Sequence, residues 1–181
     1  GGALRVLYPG CHRHLSASLV FPDVTYVDSD ARVGGLYSDE KALAWVEEHK
    51  MYEGGTKIAW KCGDFERDFG CMDGSFDVLL SASAGIVSQP CARYLRKGGL
   101  LLAGDAHYDA RMASLDPRFE LLGVWDGGSF SQDTQGHFQV KGGGHISMEQ
   151  VQESIAENRK AARSFKLVTE SLFYVFRKKS A

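Results

Sequence analysis

Two short stretches hold most of the side chains able to do chemistry. In "YPGCHRH", residues 8–14, a turn opened by Pro9-Gly10 carries Cys11, His12 and His14. One thiol and two imidazoles offer soft and borderline metal ligands, or a nucleophile beside a base. Neighbouring residues point in different directions and zinc takes four groups at suitable spacing, so no metal is expected here. In "GDAHYDA", residues 104–110, His107 stands between Asp105 and Asp109. An imidazole titrates near neutral pH and a flanking carboxylate can hold it, which makes His107, with Asp105, a candidate general base acting on an acceptor. The same residues also read as a helix cap followed by an exposed loop histidine.

Composition limits what such residues serve. A chain of 181 residues, 44% hydrophobic, can bury one sizeable core, so a single α/β domain over residues 1–181 is expected. The formal net charge of -2 gives no electrostatic reason to expect nucleic acid or an anionic membrane as partner, and points to a small-molecule substrate. No apolar run approaches the roughly 20 residues that span a bilayer, and the first residues lack a secretory pattern, so a cytoplasmic protein is expected. The four cysteines, Cys11, Cys62, Cys71 and Cys91, form no CxxC pair, and reduced thiols are the expectation.

The elements that must position these residues alternate between strand and helix. Residues 4–8, 24–28, 57–61, 76–81 and 99–104 are short, mostly apolar runs bounded by Gly, Asp or Pro, the pattern of buried parallel strands. Between residues 10 and 24 there is room for a first helix of two turns at most. "SDEKALAWVEEHK" reads as a helix capped by Ser38, and "SQPCARYLRKGG" as one with Pro90 in its first turn, Arg96 and Lys97 in its last, and Gly98 as a left-handed cap. A third helix spans residues 109–115 and stops before Asp116-Pro117. "RFELLGVW" reads as a sixth strand. A Gly-rich loop or flap follows at about residues 126–146, with a short strand at 137–141 and with His137 and His145 facing solvent. Ser147 and Gln150 form a capping box for a helix whose Met148, Val151, Ile155, Ala162 and Phe165 share one face toward the sheet. "SLFYVFRKK" closes the chain as a strand with a solvated basic end, and Trp45, Trp60 and Trp125 read as packing residues. The resulting fold class is α/β: a doubly wound, mostly parallel sheet of about seven strands with an antiparallel terminal strand.

In such a sheet ligands bind beyond the carboxyl ends of the parallel strands. The residues there are Pro9-Gly10-Cys11-His12, Asp28-Ser29-Asp30, Cys62-Gly63-Asp64-Phe65, Ser81-Ala82-Ser83 and Asp105-Ala106-His107. The succession of a Gly turn, "VTYVDSD", "CGDF", "FDVLLSASAG" and "LRKGGLLLAGD", closed by "FELLGVW" and "SLFYVF", resembles a class I S-adenosylmethionine-dependent methyltransferase over nearly the whole chain. The resemblance implies a Rossmann-like methyltransferase fold with S-adenosylmethionine as cofactor. Asp28, with Asp30 as a second candidate, would accept from the ribose hydroxyls, Asp64 would meet the adenine amine, and Phe65 would lie against the ring. Gly10 and Cys11 would admit the amino-acid tail, with Ser81 at the end of the fourth strand. The family pattern of an acid followed by Gly-x-Gly-x-Gly is met here by Tyr8, Gly10, His12 and His14. Two functions follow: a small-molecule methyltransferase assisted by His107 and Asp105, or a catalytically inactive ligand-binding or interaction module of the same fold. A dinucleotide oxidoreductase is weaker, because no G-x-G-x-x-G follows the first strand.

Overall fold

The apolar runs pair as parallel strands because most of their side chains are buried on both faces, which a sheet covered on both sides requires. The computed structural model describes residues 4–156 and 166–179. Its elements are β1 (Arg5–Pro9), β2 (Asp23–Asp28), α1 (Glu40–His49), β3 (Lys57–Cys62), β4 (Phe76–Ser81), α2 (Ser88–Cys91), β5 (Leu95–Ala103), α3 (Asp109–Leu115), β6 (Phe119–Trp125), β7 (Phe130–Ser131), α4 (Met148–Ala156) and β8 (Phe173–Lys178). The strands form one eight-stranded sheet in the order β3-β2-β1-β4-β5-β8-β6-β7. The first five are mutually parallel, and β8 is inserted antiparallel between β5 and β6. Strand order reverses between β1 and β4, the place where this architecture opens a crevice.

Two apolar layers flank the sheet. On one side Leu7, Leu79, Leu101, Tyr174 and Phe176 pack with Cys91, Ala110, Ala113 and Val151 from α2, α3 and α4. On the other, Val6, Tyr8, Val24, Tyr26 and Val78 pack under Val46 of α1 and under Ala17 and Val33 of two 3-10 segments, Ser16–Leu19 and Ala31–Ser38. The buried Tyr26 hydroxyl accepts from the Ser18 amide at 3.0 Å and donates to the Leu15 carbonyl at 3.2 Å, so this phenol is buried without an orphaned polar atom.

Several expectations change. The first helix is only the 3-10 turn Ser16–Leu19. Asp39, not Ser38, caps α1, accepting from the Ala42 amide at 2.9 Å. The helix from Ser88 lasts one turn and a 3-10 turn at Ala92–Tyr94, after which Leu95 already pairs with Phe76 in the sheet. Arg96 therefore lies in a strand, its Nε donating to Asp77 at 2.6 Å, and Gly98 is part of a bulge, not a helix cap. There the register jumps from Phe76↔Leu95 to Val78↔Leu100, and a Cβ on Gly99 would stand 2.7 Å from Leu95 Cδ1. Lys178 is not a solvated end: its Nζ donates to the carbonyls of Ala92 and Leu95 at 2.7 and 2.6 Å, holding the switch from helix to strand.

The run at 137–141 makes only isolated bridges, to Thr169, His145 and Leu167, because Phe138 takes a left-handed φ of 56°. The eighth strand, two-residue β7, is the addition. The capping box of α4 is present, Gln150 N donating to Ser147 Oγ at 3.2 Å and Ser147 N to Gln150 Oε1 at 2.9 Å. Val151 and Ser154 are its buried residues, Ile155 is exposed, and Ala162 and Phe165 lie outside the described residues. Trp60 is half-buried as a packing residue, whereas Trp45 and Trp125 are 48% and 41% exposed.

Replacing Lys178 by Met keeps its stem and removes both donors from two backbone carbonyls. Urea unfolding should register a loss of about 1–3 kcal/mol, the usual cost of leaving part-buried acceptors unpaired. An unchanged midpoint would show that Lys178 does not hold the α2–β5 junction.

Candidate functional site

The turn after β1 is built for rigidity. Gly10 has a φ of 64°, and the amides of Gly10 and Cys11 both donate to the Val27 carbonyl, at 2.8 and 3.3 Å. Cys11 is fully buried and burial pushes its thiol up to about 11, so it differs from the expected ligand contact and is no nucleophile. His12 adopts a left-handed φ of 45°, its carbonyl accepts from the Tyr37 hydroxyl at 2.6 Å, and its amide donates to Asp28 Oδ2 at 2.7 Å. The ring of His14 meets the Tyr8 hydroxyl through Nδ1 at 3.2 Å. Among the described residues no group of three or more His, Cys, Asp or Glu side chains could hold a metal ion.

Asp28 ends β2 with one oxygen bonded to His12 N and the other accepting from Asp30 N at 2.9 Å. Each oxygen retains a further acceptor position. Asp30 pairs instead with Arg32, whose hydrogen bonds hold its carboxyl at about 2. Asp64 is exposed and closes its own turn, accepting from Glu66 N at 2.9 Å. Phe65 is half-buried and packed between Gly10 and Gly85: Cβ atoms built at those two glycines would each lie 3.6 Å from its ring. Ser81 is only 1% exposed and gives its hydroxyl to Asp109, so it belongs to the core and not to a ligand surface.

The loop after β4 decides what space remains. Ser83 has a φ of 61° and Gly85 one of 123°, and the chain between them sets the Ala84 methyl directly against Gly10, where any added Cβ would collide with it. The amino-acid tail of S-adenosylmethionine needs backbone without side chains in this region. Here that room is taken by Ala84, and side-chain-bearing His12 and His14 stand at the other two glycine positions. Asp28 and Asp64 suit the nucleoside half of the cofactor, but the residues of the first turn do not fit its amino-acid half.

The second stretch forms a buried ion pair. Arg111 Nε donates to Asp105 Oδ2 at 2.6 Å and its amide donates to Oδ1 at 3.1 Å, while NH2 lies 3.5 Å from Glu170. The guanidinium also sits over the Tyr108 ring, 5.1 Å from its centre. Burial raises the Asp105 carboxyl in spite of Arg111, and burial likewise raises Asp109, which accepts from Ser81 and from the Ser88 amide at 3.0 Å. A cavity of about 440 Å³ opens here, beyond the ends of β4 and β5 and before β8, with Ser83, Asp105, Arg111, Glu170 and Phe173 in its wall. Asp105 lines it, with one oxygen accepting from Arg111 Nε and the other from the Arg111 amide, while His107 is not among the lining residues. Arg111, Glu170 and Ala84 are the residues that sequence reasoning missed. Only the basic residue inside the otherwise small and apolar "DARMASL" hinted at one of them. A larger groove of about 510 Å³ lies on the other side of the first turn, toward Leu19 and Trp45.

Neither a protein-family profile nor a curated relative matches the chain. Solved structures do. The (4+2)-cyclase SpnF superposes with a TM-score of 0.56 at 14% identity, over 99% of this chain and 76% of that one. A candidate methyltransferase from Bacillus halodurans C-125 gives 0.50 at 18% identity, over 99% of this chain and 94% of that one. The N-methyltransferase NodS from Bradyrhizobium japonicum WM9, solved with S-adenosyl-L-homocysteine, gives 0.47 at 16% identity, over 99% and 80%. Among the described residues no helix is long and apolar enough to cross a membrane.

Asp109 supplies a pH test. Its raised pKa means that the folded chain binds this proton more tightly than the unfolded chain, so its contribution to stability is present at low pH and is lost as pH rises through the raised value. The stability difference between the unmodified protein and Asp109→Asn should therefore shift in favour of the unmodified protein as pH falls from neutral toward the ordinary carboxylate range. Urea unfolding at several pH values measures it, and a constant difference would contradict the buried, charge-penalised carboxylate. In its order of strands and its inserted antiparallel β8, and by its likeness to SpnF and to the Bacillus halodurans protein, the chain has the fold of the class I S-adenosylmethionine-dependent methyltransferases.

Proposed function

We propose that the protein is a small-molecule-binding domain of the methyltransferase fold, formed by residues 1–181, which holds its ligand at the carboxyl edge of the sheet and does not transfer a methyl group from S-adenosylmethionine held in the family's manner. The observation that carries this reading is the Ala84 methyl seated on Gly10, where the cofactor's amino-acid end would need open backbone. His12 and His14 support it, because the turn they belong to is committed to Asp28, Tyr37 and Tyr8. The fold itself imposes no reaction, and SpnF is a cyclase on the same architecture.

The cavity beside Arg111 is the ligand site on this reading. Asp105 and Glu170 set two carboxylates around one guanidinium, which favours a neutral or cationic polar ligand over an anion. The mutual bonds of Asp105 and Arg111 fix both groups before a ligand arrives, so binding orders few side chains. Methyl transfer remains the second reading, favoured by Asp28 and Asp64 at the ends of β2 and β3 and by the open acceptor positions on Asp28.

Isothermal titration with S-adenosylmethionine and S-adenosyl-L-homocysteine separates the two. The expected result is no binding, or binding weaker than millimolar, for the unmodified protein. Micromolar binding that disappears in Asp28→Ala would overturn the proposal and restore the methyltransferase.

A further inference from the structure

A second cavity lies at the opposite end of α3, toward the amino ends of the parallel strands. Its volume is about 360 Å³, and Leu115, Phe119, Leu121 and Phe176 supply apolar walls from α3, β6 and β8. The Gly-rich segment closes it, contributing Phe138 and Ile146, both 5% exposed, with His137 between Thr134 and Phe138. That segment is thus folded into the core along this stretch, and His137 is not the solvent-facing residue its surroundings in the sequence implied.

The chemistry of His137 is unusual for its position. The residue is 7% exposed, and its Nδ1 is buried with no hydrogen-bond partner among the described residues. Buried polar atoms are almost always satisfied, and an exception calls for an explanation. The ring stands edge-on to Tyr174 at 5.6 Å, and its backbone is tied to Thr134 O at 3.2 Å and bridges to Thr169. Its neighbour Phe138 keeps a left-handed φ of 56°, backbone strain of the kind found at ligand clamps. Burial favours the neutral imidazole, which offers either an acceptor or a donor at Nδ1 according to tautomer.

We propose that this cavity is a binding site for a small neutral aromatic molecule bearing a hydroxyl, its ring held between Phe119, Leu121 and Phe176 and its hydroxyl bonded to His137. A hydroxyl can donate or accept, so it satisfies either tautomer, and a lining in which these apolar walls face the polar side chains of Ser114, Thr134, His137 and His145 suits a ligand with one apolar and one polar end. The proposal is independent of the carboxyl-edge reading, with which it shares no lining residue.

The probe is 4-ethylphenol, with ethylbenzene as the match that lacks the hydroxyl, both followed by calorimetry. The unmodified protein should bind 4-ethylphenol about tenfold tighter than ethylbenzene, the worth of one well-placed hydrogen bond. The Nδ1 resonance of His137 in ¹⁵N spectra should shift on adding 4-ethylphenol. His137→Phe should remove the preference, and Leu121→Trp, which fills the space, should abolish binding of both. Failure of 4-ethylphenol to bind at millimolar concentration, equal affinity for the two probes, or binding indifferent to Leu121→Trp would each overturn the assignment. The probe comparison and the spectra on unmodified protein decide it even if a variant does not fold.

Discussion

The contact between Gly10 and Ala84 joins the turn after β1 to the loop after β4 across the point where strand order reverses. Everything at the carboxyl edge is arranged around it. Gly10 holds its left-handed backbone because the turn must bend back onto Val27, and Asp28 then fixes His12, two residues on, by accepting from its amide. On the other side Ser83 and Gly85 take positive φ values so that Ala84 can reach across. At the reversal, where this architecture normally opens a crevice, the Ala84 methyl packs on Gly10.

A cavity lies one strand further on, where Asp105 and Arg111 form a buried pair at the start of α3. Such a pair contributes little net stability, because desolvating two ions offsets most of their attraction, but losing one partner leaves the other buried and uncompensated. Behind it, Asp109 anchors the start of α3 to Ser81 and Ser88, so the helix that carries Arg111 is fixed to β4 and α2 together. The two aspartates that flank His107 in sequence thus have separate structural duties, Asp105 pairing with Arg111 and Asp109 holding Ser81 and Ser88.

How much of this was legible in the sequence follows from the range of the interactions. The parallel strands were, since burial on both faces writes itself as continuous apolar runs, and so was the capping box of α4, a contact between residues three apart. The α2–β5 junction was not: the local pattern around "CARYLRKGG" is helical, and it is overridden because Leu95 pairs with Phe76 and Lys178, from the far end of the chain, caps the carbonyls released there. The candidate site was half legible. Asp28 and Asp64 could be placed from their position after strands, and the histidines at glycine positions signalled an altered turn. Ala84 on Gly10, Arg111 against Glu170 and the buried His137 depend on tertiary approach between distant segments, which no local pattern records.

The proposed function depends on Ala84 occupying the space beside Gly10. Its most direct measure is the nuclear Overhauser effect between the Ala84 methyl and the Gly10 α-protons in methyl-labelled protein, recorded with and without millimolar S-adenosylmethionine. A strong cross-peak that the cofactor leaves unchanged is expected. A cross-peak that is missing, or that vanishes on adding S-adenosylmethionine, would contradict it.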